Sequence, residues 1–458
     1  MSPRLMLIQI DGLSRERFER ALTNGSMPYL CRLHESSHHL HSVFSGLPST
    51  TAACQAELLY GVKVAVPAFA FYDRNRQRLV SMLDPGVARS VEATLQRQRG
   101  LLRGGVSLSN AYFGEARRAL ACAPTPPSRY LQLVRPQFVV PALGSAWTEL
   151  SDLMHSQRRP WWKELGHLPE RLLSCGLLQE LITLNARLEL QRGRPVVMVN
   201  FLGYDEKAHL YGPDSHTAMK YLSRLDGCIQ RIAAAAEDCQ LMVWSDHGQQ
   251  ATAPYSQIRG MALRKVIAQV MGEPVASIHF RWPGARVLNA GARVKLAAIG
   301  PIGHLYLPEP SRLEWLAREL VCHQGVPAVL TRDGRVYRRD GWSRLDESLL
   351  GPAHPWPEQT LADLGRLMGH FHSGDLILLG YQPDLPLSFA DELGAHGGPG
   401  PQEVTAFALL PAQLTPPTRL GDLRRLALQV LADDLSRTRL PARPEQARQL
   451  RSTGAPSR

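Results

Sequence analysis

Leu5-Met6-Leu7-Ile8-Gln9-Ile10-Asp11-Gly12 is the stretch whose reading decides the fold. A short apolar run ends abruptly in an acid and a glycine. Apolar residues on both faces of so short a run predict a strand covered on both sides. Val196–Phe201, Leu241–Trp244 and Leu376–Leu379 have the same character. Helical patterns lie between them at Arg15–Leu22, Met27–Leu33, Met219–Ala236 and Leu361–Met368. This alternation predicts an α/β fold, a largely parallel central sheet with helices on both faces. Ligands of such sheets bind at the carboxyl ends of the strands, so chemistry is expected in the residues just after each strand.

One catalytic domain is expected over 1–435. Within it, 75–190 is rich in Arg, Gly and Pro and then turns helical, ending in Leu172–Leu190. It reads as an inserted cap that selects the substrate. Arg437 to Arg458 carries six arginines against Glu445, with Pro441, Pro444 and Pro456, and 436–458 reads as a basic disordered tail. The chain shows no internal repeat.

Composition narrows the class. With 44% hydrophobic residues, the 458-residue chain has enough apolar material for a substantial core. Its net charge of +11 suggests nucleic acid, but only six of the fifty-two basic residues are lysines. The arginines are spread along the chain, which fits a solvated surface and predicts no specific nucleic-acid partner. No run reaches the roughly 18–20 apolar residues of a membrane helix. The start, Met1-Ser2-Pro3-Arg4 followed by a short apolar run, lacks the form of a signal peptide. Seven single cysteines form no CxxC pair. A cytoplasmic, reduced protein is expected.

The strand ends carry a coherent set of groups. Leu5–Ile10 is followed by Asp11, Val196–Phe201 by Asp205 and His209, and Leu241–Trp244 by Asp246 and His247; His396 comes after the Leu376–Leu379 run. Carboxylates and neutral imidazoles suit zinc or manganese, and six such groups are too many for one four-coordinate ion and about right for two. Asp205 and His209, four apart, share one face of a helical turn. Gly248 allows the backbone to turn so that adjacent Asp246 and His247 serve one site. Ser49-Thr50-Thr51 supplies hydroxyls just before a helix expected over Ala52–Leu59, where one is placed as a cap or as a nucleophile facing a phosphate.

These residues, in this order, resemble the alkaline phosphatase superfamily and, within it, the nucleotide pyrophosphatase/type I phosphodiesterase branch. The matching signatures are Ile10-Asp11-Gly12, Pro48-Ser49-Thr50-Thr51, Asp205-x-x-x-His209-x-Tyr211-Gly212-Pro213, Ser245-Asp246-His247-Gly248 and Gly394-x-His396-Gly397. The resemblance implies Thr51 as a nucleophile that forms a phospho-threonine. It implies one divalent metal, zinc or manganese, on Asp11, Asp246, His247 and Thr51, and a second on Asp205, His209 and His396. The implied activity is metal-dependent hydrolysis of phosphodiester or pyrophosphate bonds in a small phosphate ester.

The chain departs from that pattern in two places. Relatives follow the nucleophile with Pro-Asn where this chain has Ala53-Cys54, and they place a phosphoryl-holding asparagine before a Tyr-Asp pair. Here Tyr72-Asp73 is preceded by Phe69-Ala70-Phe71. Gln55, Tyr72 or a backbone amide is the expected substitute. Phosphomonoester or phosphonate hydrolysis by the same site is the alternative; Arg74 and the arginines of the 75–190 insertion are the candidate clamps for the former. A non-catalytic polyanion-binding protein is the rival from another class. Sulfatase chemistry is set aside, because Cys122-Ala123-Pro124-Thr125-Pro126 lacks the arginine that branch requires.

Several features read as structural. Gly104-Gly105 and Ser107-Leu108-Ser109-Asn110 are expected in a surface loop, Arg158–Lys163 at an edge of the cap, and His38, His39 and His41 along a strand near Thr51. Cys228, Cys239 and the other cysteines are expected as small buried residues.

Overall fold

The computed structural model describes residues 4–125, 172–281 and 284–437, with five further positions between 143 and 150. Arg158–Lys163 and the tail beyond 437 lie outside the described residues.

Leu5–Ile10 lies within the central strand Arg4–Ile10 of a seven-stranded sheet. Val196–Phe201 and Cys239–Trp244 flank it on either side, both parallel to it. Val106–Leu108 and Arg118–Leu120 extend the parallel part beyond Val196–Phe201. On the other side Thr405–Pro411 runs antiparallel to Cys239–Trp244, and the edge strand His38–Phe44, antiparallel to Thr405–Pro411, runs in the direction of the parallel strands. The sheet is thus largely parallel. Its side chains alternate: Met6, Ile8 and Ile10 enter one core, Leu5 and Leu7 the other. Each such fully buried aliphatic side chain contributes about 2 kcal/mol, which is why both faces of the strand must be apolar.

Helices Arg15–Thr23, Pro28–Ser36, Leu178–Gln191 and His216–Ala233 contribute to the first core. Thr51–Tyr60 and Leu420–Arg437 contribute to the second. The tail expected from 436 therefore begins inside a helix, whose amphipathic start the arginine count obscured.

Two local expectations are corrected. Ser107–Asn110 is not a surface loop. Val106–Leu108 is a strand of the central sheet, and Ser107, Ser109 and Asn110 are buried. Part of the 75–190 segment is therefore built into the sheet itself. Leu376–Leu379 is a buried strand, but it lies antiparallel in a second, eight-stranded sheet formed from residues 275–379. A run of four apolar residues does not reveal which sheet it joins. Apolar clusters pack on both faces of this second sheet, with helices Leu263–Met271 and Leu313–Cys322 on one and Pro357–Gly369 on the other. After it, Gly394–Ala395 returns to pair with Gln250–Ala251. No helix among the described residues is long and apolar enough to cross a membrane.

Candidate active site

Each of the seven residues singled out from the sequence sits at the carboxyl edge of the central sheet or beside it. Asp11 follows the central strand. Asp205 and His209 lie on the helix Gly203–Tyr211, which starts directly after Val196–Phe201. Asp246 and His247 follow Cys239–Trp244. Thr51 opens the helix Thr51–Tyr60. His396 is delivered from the second sheet by the Gly394–Ala395 pairing, and its ring stacks on that of His247 at 3.9 Å.

Thr51 Oγ1 donates toward Asp11 Oδ1 at 3.3 Å and lies 3.3 Å from His247 Nε2. The ligand atoms of Asp11, Asp246 and His247 lie within 4.8 Å of one another, as do those of Asp205, His247 and His396. His209 Nε2 is 3.2 Å from Asp205 Oδ2, and its ring is 5.0 Å from that of His396. His247 thus stands between the two groups, a position that residue spacing alone did not reveal.

The outward nitrogens are fixed by the backbone. His209 Nδ1 bonds the carbonyl of Gly394 at 2.9 Å, His247 Nδ1 that of Gly248 at 3.1 Å, and His396 Nδ1 that of Ser49 at 2.7 Å. All three Nε2 atoms are left to face the carboxylates, the arrangement typical of metal-binding imidazoles.

The electrostatics show the strain of this packing. Burial, reinforced by Asp246 and Asp205, pushes Asp11 well above the usual carboxylate range. Burial and then Asp205 push Asp246 up to about 8. Burial also acts to raise Asp205, but His209, His396 and His247 outweigh it and hold its carboxyl low. Burial lowers His247 to about 4 and His396 to about 3, so both rings are neutral at pH 7. Asp246 Oδ2 is buried with no hydrogen-bond partner among the described residues. Two buried carboxylates, a third that is part-buried, and two neutral imidazoles make a donor set that fits divalent cations.

Sequence reasoning missed the groups that hold these carboxylates. Asn200 Nδ2 donates to Asp11 Oδ2 at 2.8 Å. Gln249 Nε2 donates to the carbonyl and to Oδ1 of Asp205. Asn200 carried a signal, because it and its neighbour Gln9 are polar residues inside otherwise apolar strands. Two glycines are explained by crowding. A methyl on Gly12, whose φ is +71°, would stand 2.2 Å from Asp205 Oδ1, and one on Gly248 would stand 2.0 Å from the Gln402 carbonyl. Gly248 is therefore required by close approach and not by an unusual backbone angle.

The alternatives also find places. Ser49 Oγ donates to the Gly398 carbonyl and accepts from the Gly397 amide, each at 2.9 Å. Thr50 Oγ1 is buried without a partner among the described residues. Gln55 is not free to hold a phosphate. It donates to Gln9 and Asn110 and accepts from the Ala111 amide. Tyr72 packs near Tyr306 of the second sheet. Arg74 pairs with Asp375 at 2.8 Å and is no clamp at the site. His38 is buried against the Leu241 carbonyl on the edge strand. No disulfide joins any of the seven cysteines; Cys54, Cys122, Cys175 and Cys228 are buried, Cys31 and Cys239 partly so, and Cys322 is exposed because it ends an amphipathic surface helix.

Residues 5–341 match the model of the type I phosphodiesterase/nucleotide pyrophosphatase family. The chain belongs to that family. It is a hydrolase of phosphoric ester bonds within the alkaline phosphatase superfamily. No curated protein matches its sequence. Among solved structures it is similar to phosphonoacetate hydrolase from Sinorhizobium meliloti 1021 in complex with phosphonoformate. That similarity has a TM-score of 0.56 at 16% identity, covering 94% of this chain and 96% of the other. It is also similar to murine ectonucleotide pyrophosphatase/phosphodiesterase 5 in complex with AMP, with a TM-score of 0.53 at 12% identity over 94% and 95% of the two chains. At these identities the likeness shows the shared fold.

Proposed function

We propose that this phosphodiesterase-family protein cleaves phosphodiester or pyrophosphate bonds in two steps, through a phosphorylated Thr51. The observation that carries the reading is the placing of Thr51 Oγ1 3.3 Å from both Asp11 Oδ1 and His247 Nε2, at the start of a helix. Thr50, the residue before that helix, makes no side-chain cap, so the first-turn amides are available to an anionic phosphoryl oxygen.

Asp11, Asp246, His247 and Thr51 would hold one divalent cation, and Asp205, His209 and His396 the other, zinc or manganese. When bound, the cations supply charge that lowers the pKa of the threonine hydroxyl and of water and offsets the charge on the leaving oxygen. Asn200 and the imidazole-to-carbonyl bonds keep the ligands turned inward. Thr51 Oγ1 gives up its proton to solvent and attacks phosphorus as the bond to the ester oxygen breaks; that oxygen takes a proton back from solvent. Water then cleaves the phospho-threonine and returns the proton to Thr51 Oγ1. The commitment of Arg74 to Asp375 supports a diester, because a monoester brings a further negative charge that a spare cation would have to meet.

Zinc- or manganese-loaded protein is expected to hydrolyse bis-p-nitrophenyl phosphate faster than p-nitrophenyl phosphate. Thr51→Ala is expected to abolish turnover while keeping metal content. Full activity in that variant would end the phospho-threonine reading. Phosphonate hydrolysis is the second reading, suggested by the likeness to the S. meliloti enzyme; release of inorganic phosphate from phosphonoacetate, and not from the diester, would favour it.

A further inference from the structure

Thr51 must be held by something other than its own contacts, because the loop that enters its helix is glycine- and proline-containing and lies across two sheets. One end of that loop is fixed at the site: Ser49 holds His396, Gly397 and Gly398. The other end rests on a buried charged cluster that the reaction does not use.

Glu57 lies on the Thr51 helix and is 3% exposed; Asp363 lies on the helix Pro357–Gly369 and is 1% exposed. Arg419 joins them. Its Nε and Nη2 donate to Glu57 Oε1 and Oε2 at 2.5 and 2.7 Å, and Nη2 also donates to Asp363 Oδ2 at 3.2 Å. The same Asp363 Oδ2 accepts the amide of Leu47 at 3.2 Å, and Arg366 caps the other oxygen at 2.5 Å. Gly46 lies over the cluster: a methyl there would be 3.4 Å from Glu57 Oε2 and 3.7 Å from both Arg419 Nη2 and Asp363 Oδ2. The Arg419 guanidinium also sits 5.4 Å from the ring centre of Phe44, at the end of the strand that leads into the loop. One guanidinium therefore touches the strand before the loop, the acid that anchors the loop's amide and the helix after it.

We propose that Arg419 is a positioning residue for the nucleophile. It clamps the Thr51 helix through Glu57 and the entering loop through Asp363, and so sets where Thr51 Oγ1 stands relative to Asp11 and His247. The proposal rests on Thr51 being the nucleophile. Its physical basis is the fork of the guanidinium: only a planar, bidentate cation can satisfy Glu57 with two bonds and still reach Asp363. Without it two buried carboxylates face one another across the hinge between loop and helix, and they separate or take up protons. Displacing a reacting atom by about 1 Å can cost on the order of a hundredfold in rate.

The test compares the full-length, zinc-loaded protein with Arg419→Lys, Asp363→Asn and the double variant on bis-p-nitrophenyl phosphate. Arg419→Lys keeps the charge and loses the fork; Asp363→Asn keeps an acceptor for the Leu47 amide. We expect each to lower kcat by roughly ten- to a hundredfold, with KM, zinc content and circular dichroism as in the parent. The double variant should lose no more than the worse single one, because the two act through one cluster. Parent kcat in Arg419→Lys, losses that simply add, or losses matched by lower zinc content would overturn the proposal. If Arg419→Lys does not fold, Asp363→Asn is judged by its kcat, KM and zinc content alone. Thr51→Ala separates the two ideas. If it keeps parent turnover, the nucleophile reading fails; if it is dead while Arg419→Lys keeps parent kcat, the clamp alone fails.

Discussion

Asn200 Nδ2 holds Asp11 Oδ2 at 2.8 Å while Asp11 Oδ1 receives the hydroxyl of Thr51 at 3.3 Å, so one carboxylate is oriented by a neutral amide from the adjacent strand. Asn200 and Gln9 are paired in register on neighbouring strands, which places the amide beside the acid two residues after Gln9. The amide neutralises nothing, but it fixes which oxygen faces Thr51 Oγ1.

Asn200→Leu should therefore weaken metal binding and activity by about 10- to 100-fold, the usual effect of losing a group that orients a ligand. Zinc titration of the variant checks this. Parent affinity would show that Asp11 needs no holder.

Gly12→Ala should act through Asp205, not through Asp11. A methyl 2.2 Å from Asp205 Oδ1 must push that carboxylate away, and the positive φ adds backbone strain. Metal content measured after dialysis should fall, with hydrolysis falling in step. A variant with full metal content and rate would show that Asp205 has room to move.

The carboxylates predict a pH dependence. Burial, helped by Asp205, raises Asp246 to about 8, and burial with its acidic neighbours also raises Asp11. In metal-free protein these groups favour folding when protonated. Their contribution is complete below the ordinary carboxylate value and is lost as pH rises toward about 8. Metal-free protein should thus lose thermal stability over that range, whereas metal affinity should rise, since binding displaces the protons. Calorimetry at pH 7 in buffers of different ionisation enthalpy should show proton release on zinc binding. Zinc uptake without proton release would contradict the raised values.

Ser49→Ala distinguishes a holder from a nucleophile. Ser49 is fully buried, and its hydroxyl joins the Gly397 amide to the Gly398 carbonyl. Removing it leaves two buried groups unpaired and should cost about 1–3 kcal/mol of stability, read from denaturant unfolding. Turnover should persist in the folded fraction. Complete loss of turnover in stably folded protein would move the nucleophile to Ser49.

Much of this was legible before the fold was known. The strands read at 5–10, 196–201 and 241–244 and the helical turn carrying Asp205 and His209 come from local pattern, because burial on two faces demands a continuous apolar run. The ligand residues stood out because acids and histidines cluster at strand ends. The surroundings of the Ser107–Asn110 segment and of the Leu376–Leu379 strand were misread for one reason: runs of three or four residues carry too little pattern to say what covers them. Asn200 stood out as a polar residue in an apolar strand, but its partner and those of Gln249 and Arg419 were invisible, since they lie 189, 44 and 362 residues away in sequence.

By itself the sequence determined the chemistry available: three carboxylates, three imidazoles and a threonine, each after a strand or before a helix. Local pattern suffices for that, because it depends on which residues are apolar and where a turn is permitted. Tertiary structure alone decided how those groups meet. It brought His396 across from a second sheet, set His247 between the two groups of acids and imidazoles, and placed Arg419 under the loop that enters the Thr51 helix. Hydrogen bonds and charge pairs act over a few ångströms in space, and only the folded chain determines which residues are that close.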